Sequence, residues 1–188
     1  MIRMIDKIRS ILRRNKIVRR YMVVNSFDGT LAVLAIIIAN FLVGTNDPRI
    51  ILLPSIGASF AMFVSGTWSA YLSERSEFRK SVFKMEKHLL KGLKGTRVHE
   101  KMKKSVFLVS LSNGLAPLVS GLIIVSPFFV FTRYSYYISF FLGGAILFCL
   151  GIFMAKISKQ NKLIYGMETL LTGLVVALFY YLISVLGL

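Results

Sequence analysis

The chain has 188 residues, 55% of them apolar, and its mean hydropathy is +0.68, a composition that favours one membrane-embedded helical bundle and leaves little room for a soluble domain. The formal net charge of +16 would suit a nucleic-acid-binding protein, but the basic residues are concentrated in the segments between apolar stretches. This distribution argues against nucleic acid as a partner and predicts an all-α integral membrane protein.

Residues 1–20 form the first predicted element, an amphipathic helix lying on the membrane surface. The segment holds eight Lys and Arg residues, and Ile2, Ile5, Ile8 and Leu12 recur among them at helical spacing. Such a helix binds a leaflet through apolar burial and attraction to anionic lipid. Membrane lipids are therefore expected partners of this segment.

Residues 21–188 are predicted to form a transmembrane domain of five helices. Five apolar stretches are long enough to cross a hydrocarbon core, and they cover about residues 21–43, 50–72, 105–131, 136–155 and 163–187. Each is expected to be helical, because backbone groups in lipid must be satisfied within the segment. Pro117 and Pro127 are expected to kink or end the third span. A basic loop, residues 73–104, joins spans two and three.

The basic residues also predict the orientation of the five spans. All of the 24 Lys and Arg residues except Arg49 and Arg133 fall on one side if the spans alternate in direction. Cytoplasmic loops carry the excess of positive charge in membrane proteins. The N-terminus is therefore expected in the cytoplasm and the C-terminus outside.

Asp28 lies inside the first predicted span and is the strongest candidate for a functional residue. An ionisable side chain there costs about 2.5–3.5 kcal/mol on insertion scales and usually faces a polar path or a partner. One hypothesis is a cation or proton site. The alternative is an aspartate that bonds to a neighbouring helix for packing. Asn25, Gly29 and Ala32 share its narrow stripe of polar and small residues, which favours a protein-facing or wet surface.

Two further candidates lie in other spans. Met62 lies within a row of serines in the second span, where its thioether is either a soft metal ligand or a packing residue. Glu168 lies one turn inside the fifth span and either serves ion passage or pairs with Lys162.

The basic loop 73–104 contains carboxylate and imidazole groups, which are ligand types for first-row divalent metals. Eleven Lys and Arg residues share the loop, however, so the alternative is a solvated basic helix facing lipid. No catalytic set and no permanent cofactor motif occurs, so an enzyme is not expected. The candidate metal ligands of the whole chain are Asp28, Asn25, Met62, Glu168, Glu77, Glu86, His99 and Glu100.

Three stretches in order along the chain resemble the vacuolar iron transporter family. Residues 24–31, Val-Asn-Ser-Phe-Asp-Gly-Thr-Leu, are similar to the Asn-Asp-Gly motif that opens the family's first helix. Residues 71–77, Tyr-Leu-Ser-Glu-Arg-Ser-Glu, are similar to the end of its second helix, and residues 151–187 to its last two helices. Aligned through Tyr71, Ala58 and Gly66 stand where typical members carry a glutamate and a methionine.

The resemblance implies a homodimer whose first helices line a path at the two-fold axis. It also implies export of Fe²⁺ or Mn²⁺ from the cytosol in exchange for protons, with Asp28 serving metal passage. Asn25 and Met62 are then supporting ligands, and Glu168 a proton or gate residue. The expected location is the cell membrane of a prokaryote, with a vacuolar-type membrane as the alternative. The rival functions are a non-transporting scaffold or lipid-associated protein on the same fold, and a transporter of another small cation.

Overall fold

The computed structural model describes residues 2–90, 92, 95–130 and 134–186, with side chains from Val18 onward apart from those of Leu89 and Val98. Every element in these residues is an α-helix, as the composition predicted. The helices are α1 Ile2–Val43, α2 Pro48–Leu89, α3 Arg97–Val125, α4 Pro127–Val130, α5 Ser135–Ser158 and α6 Lys162–Val185.

Five of the helices are long and apolar enough to cross a membrane, which matches the predicted number of spans. The candidate spans are Val18–Val43, Pro48–His88, His99–Val125, Ser135–Ser158 and Lys162–Val185. Each contains an 18-residue stretch of high mean hydropathy with few charged residues. By length and composition the chain is therefore a multi-pass membrane protein.

The predicted surface helix and the predicted first span form one continuous helix in the structure. α1 runs without a break from Ile2 to Val43, so residues 2–20 continue directly into the first span. The first glycine of the chain is Gly29 and the first proline is Pro48, so this segment contains no helix breaker. The side chains of residues 1–17 lie outside the described residues, and their position on a membrane surface stays a prediction.

Most of segment 73–104 is helical. α2 is 42 residues long, about 60 Å at the rise of an α-helix, so it extends well beyond the apolar run 50–72. α3 begins at Arg97, where the Thr96 side chain accepts a hydrogen bond from the backbone N–H of His99 at 3.3 Å. A short connection containing Gly92 and Gly95 joins the two helices, and Gly95 has a φ of +81°.

The third span begins and ends earlier in the chain than the predicted 105–131. α3 passes through Pro117 and ends at Val125, and Pro127 opens the short helix α4. A proline fits the first turn of a helix because that position needs no intrahelical N–H donor. α3 thus ends two residues before Pro127, one of the two prolines expected to kink or end the span, and Pro117 does not end it. Residues 131–133 lie outside the described residues.

α1 packs against α2, α3, α5 and α6 and so lies at the centre of the bundle. Its Val33 and Ile37 are fully buried in the apolar core, which also contains Ile51 of α2, Ile124 of α3 and Leu147 of α5. Glycines bring the helices close together outside this core. A Cβ on Gly29 would lie 2.6 Å from the Cα of Pro117, so α1 and α3 are nearly in backbone contact there.

Gly114 makes the equivalent close approach between α3 and α2. A methyl group at this position would overlap the carbonyl oxygen of Phe63 and the hydroxyl of Thr67. We expect Gly114→Ala to lower the free energy of unfolding by about 1–3 kcal/mol, because backbone atoms must move apart.

The matched control is Gly57→Ala in α2, since no atom lies within 4 Å of the added Cβ. Reversible unfolding of the purified protein in mixed micelles measures both changes. An equal effect of the two variants would contradict the assigned α2–α3 contact.

Candidate functional site

A chain of side-chain amides connects three of the spanning helices. Asn25 of α1 donates through Nδ2 to Oδ1 of Asn113 in α3 and to the carbonyl of Tyr21 at 3.0 Å. Asn113 in turn donates through its own Nδ2 to the carbonyl of Gly66 in α2 at 2.8 Å. Inter-helix amides of this kind satisfy polar groups within lipid and fix the rotation of each helix. The amide nitrogen of Asn25 is thus used in packing, and Oδ1 is the atom with which it can bind a cation.

A second set of bonds holds α1 against α3 one turn further along. The Ser120 hydroxyl donates to the carbonyl of Ser26 at 3.1 Å, and the Ser26 hydroxyl donates to the carbonyl of Ala116 at 3.4 Å. These bonds and the Gly29 contact show that α1 packs against α3 with the face that carries Asn25 and Gly29.

Asp28 points away from that side and is exposed on the surface of the protomer. The residue precedes Gly29, and successive residues of an α-helix are rotated by about 100°. Among the described residues no hydrogen-bond or ion-pair partner contacts its carboxylate. The alternative in which Asp28 bonds to a neighbouring helix of the same protomer therefore gains no support.

Small residues follow Asp28 along the same face of α1. Ala32, Ala35 and Ala39 recur at helical spacing from Asp28, and all three are only half-buried. This alanine face, defined by Asp28, Ala32, Ala35 and Ala39, is incompletely covered by the protomer. It presents a carboxylate beside a surface that another helix can approach closely.

The serine-rich stripe of α2 divides into two faces. Ser55 and Ser59 are fully buried in the bundle, and the Ser59 hydroxyl donates to the carbonyl of Ser55 at 2.8 Å. Ser65 and Ser69, by contrast, are exposed. Met62 lies between these groups and is half-buried, so its thioether is partly accessible.

Glu168 is exposed near the start of α6. Its neighbour Thr169 points into the α5–α6 contact and donates to the carbonyl of Leu147 at 2.9 Å. In the described residues Glu168 forms no ion pair with Lys162, because positions six apart do not share a helix face. The proposed pairing is thus wrong within the protomer, and a role in ion passage stays a prediction.

The candidate ligands of segment 73–104 lie apart from the in-membrane set. Glu77 is exposed and pairs with Lys80 at 3.1 Å, while Glu86 lies further along α2. His99 and Glu100 lie in the first turn of α3. In the described part of one protomer, no three His, Cys, Asp or Glu side chains converge to hold a metal ion. Any multidentate site would therefore need other ligand types or a second protomer.

The candidate residues predicted from the sequence do not include Asn113, which bonds to both α1 and α2. The available signal was the residue type, since an amide within an apolar run requires a partner in lipid. Which helix supplied the partner was not readable from the pattern.

The fold defines a multi-pass membrane protein with five candidate spans, the first of which contains the exposed Asp28 carboxylate. The chain is 30% identical over 169 residues to the uncharacterized protein MJ0645 of Methanocaldococcus jannaschii, a match that covers 88% of this chain and 87% of that protein. The chain therefore belongs to the same family as this archaeal protein. No protein-family model and no solved structure matches the chain.

The amide chain generates a stability prediction. Asn113→Ala removes bonds to both Asn25 and Gly66 and should lower the free energy of unfolding by about 1–2 kcal/mol. Ser112→Ala is the control, because the Ser112 hydroxyl bonds only to the Leu108 carbonyl of its own helix. Unfolding by sodium dodecyl sulfate in mixed micelles measures both variants, and equal stabilities would argue against the inter-helix role.

Proposed function

We propose that the protein is a homodimeric exporter of divalent first-row metal, Fe²⁺ or Mn²⁺, and a distant relative of the vacuolar iron transporters. The observation that carries this proposal is the exposed Asp28 carboxylate within a membrane span. A charge at this depth is unfavourable in contact with lipid, so the alanine face requires a polar environment from outside the protomer.

A second copy of the chain provides that environment. In a two-fold dimer the same patch meets itself, so the alanine faces of two α1 helices pack together and bring two Asp28 carboxylates to one path. Ala32 and Ala35 permit close approach of the helix backbones. Two facing carboxylates repel each other when both are ionised, and either a divalent cation or a proton relieves the repulsion.

This competition between metal and proton gives a chemical basis for exchange. A carboxylate ligand must be deprotonated to bind metal, so protons arriving from the opposite side displace the ion. The Oδ1 atom of Asn25 and the sulfur of Met62 are supporting ligands in this scheme. Glu168, exposed at the same end of the bundle, serves as a proton acceptor or gate.

The charge distribution supports the direction of transport. Asp28 lies ten residues beyond Val18, about 15 Å along the helix from its basic end. With the basic end in the cytoplasm, a metal ion reaches Asp28 from the cytosolic side. Glu77 and Glu86 then lie on the cytoplasmic approach as weak collecting groups, whereas the cationic side chains around His99 and Glu100 disfavour a metal ion there. The archaeal relative agrees with a prokaryotic cell membrane as the location.

Metal flux in proteoliposomes tests the proposal. We expect the wild-type protein to carry Fe²⁺ or Mn²⁺ with a change in internal pH. Asp28→Asn should reduce the flux at least about tenfold, because it removes the ligand charge at nearly constant size.

The matched control is Asp47→Asn, the same change outside the apolar core. Asp47 caps α2 by accepting a bond from the Arg49 N–H at 2.9 Å, and asparagine preserves such a cap. Flux that survives Asp28→Asn would contradict the mechanism. Absence of flux with any metal, from a folded dimer, would favour the scaffold alternative.

Thiol cross-linking tests the dimer independently. In a Cys149→Ala background, Ala32→Cys or Ala35→Cys should give a covalent dimer with a short bifunctional maleimide, since the two α1 helices face each other. Phe141→Cys in α5 is the control, because Phe141 is 75% exposed and lies outside the alanine face. Dimer formation by the α5 variant alone would assign the interface to another surface.

A further inference from the structure

A groove lies between the C-terminal extension of α2 and the start of α3. Its volume is about 780 Å³, and it runs from Arg79 of α2 and His99 of α3 to the beginning of the apolar run at Phe107. The groove lies at the basic end of the bundle, away from the alanine face and from the Asp28 path. None of its lining residues is Asp28 or belongs to the alanine face.

The charge of the groove favours an anion. Four cationic side chains line it, and Glu100 is the carboxylate among the lining residues. The cations are Arg75, Arg79, Lys103 and Lys104. Arg75 and Arg79 are one turn apart on α2 and face the two lysines across the groove, so their fields add. The same field disfavours a metal cation at His99 and Glu100, where the sequence predicted half of a metal site.

One end of the groove is apolar and open. Phe107 is 59% exposed and Leu108 61% exposed, and both line the cavity at the start of the third apolar run. On the other helix, Tyr71 lies at the end of the second apolar run. The Arg75 guanidinium carbon lies over its ring, 5.8 Å from the ring centroid. The groove thus has cationic side chains at one end and exposed apolar side chains at the other, a combination that suits an anion with a hydrocarbon chain.

His99 adds a polar group without a partner. Its Nδ1 atom is buried and has no hydrogen-bond partner among the described residues. The ring is held edge-on by Phe78, with 5.1 Å between ring centroids. A buried polar atom of this kind usually has an unseen partner, and here the ring lines a cationic groove.

We propose that this groove binds one anionic phospholipid. Arg79 and Lys103 hold the phosphodiester of the headgroup beside the His99 ring, and an acyl chain lies against Phe107 and Leu108. Basic pockets between helices on the cytoplasmic side suit acidic headgroups in this way. The bound lipid would fix the α2–α3 junction at the membrane surface.

The single tryptophan of the chain, Trp68, reports on occupancy of the groove. Its ring lies 6.1 Å from that of Tyr71, which lines the groove, and its side chain is 64% exposed. The protein is reconstituted in phosphatidylcholine vesicles with increasing fractions of phosphatidylglycerol that carries brominated acyl chains. Quenching of Trp68, compared with brominated phosphatidylcholine, gives the relative binding constant of the anionic lipid.

We expect the wild-type protein to prefer phosphatidylglycerol and the double variant Arg79→Gln/Lys103→Gln to lose roughly tenfold in this preference. The control variant Lys84→Gln/Lys87→Gln removes the same charge from exposed positions of α2 outside the groove. This variant should retain the preference for phosphatidylglycerol. Arg79→Lys/Lys103→Arg preserves the charges and should also retain it, which separates lipid binding from misfolding.

Three results would overturn the proposal. The first is a wild-type protein without a preference, and the second is an equal loss in both glutamine variants, which would indicate a general surface potential. The third is displacement of the lipid by inorganic phosphate in the millimolar range, which would make the groove a site for soluble phosphate.

Discussion

The close contact between α1 and α3 is the constraint on which the rest of the arrangement depends. Gly29 allows the two backbones to approach at Pro117, and the Asn25–Asn113 amide bond fixes the rotation of α1 about its own axis. Both features are intramembrane and neither tolerates a helix rotation, because a polar amide would lose its partner in lipid. This rotation directs Asp28 outward, so the position of the carboxylate is a consequence of how α1 packs against α3.

The two sites proposed for this chain, the alanine face and the α2–α3 groove, depend on different physical chemistry. At the alanine face, a low-dielectric environment makes a single carboxylate expensive and its neutralisation by a metal ion or proton favourable. At the α2–α3 groove, converging cations beside an apolar surface favour an anion with a hydrocarbon chain. The basic end of the bundle, from which the orientation of the chain is predicted, therefore also contains the groove proposed to bind lipid.

The sequence predicted the spans well because hydropathy and helix breakers act locally. Pro117 and Pro127 were both expected to kink or end the third span, and only the structure shows that α3 continues through Pro117 and ends at Val125. No break separates residues 2–20 from the first span, because a change in charge along a helix does not interrupt its hydrogen bonds. The α2 stripe was read as one polar face, although its packing against α1 and α3 buries Ser55 and Ser59 and leaves Ser65 exposed.

By itself, the sequence determined the helical class, the number of spans and the presence of an ionisable residue, Asp28, inside the first span. Apolar runs and the charges within them can be recognised without knowing which helices are in contact. Only the tertiary structure decided which way Asp28 points, which amides pair, and that Arg79 and Lys103 face one groove. Those outcomes depend on the rotation of each helix against its neighbours. That rotation is set by contacts between residues such as Asn25 and Asn113, which lie 88 positions apart in the chain.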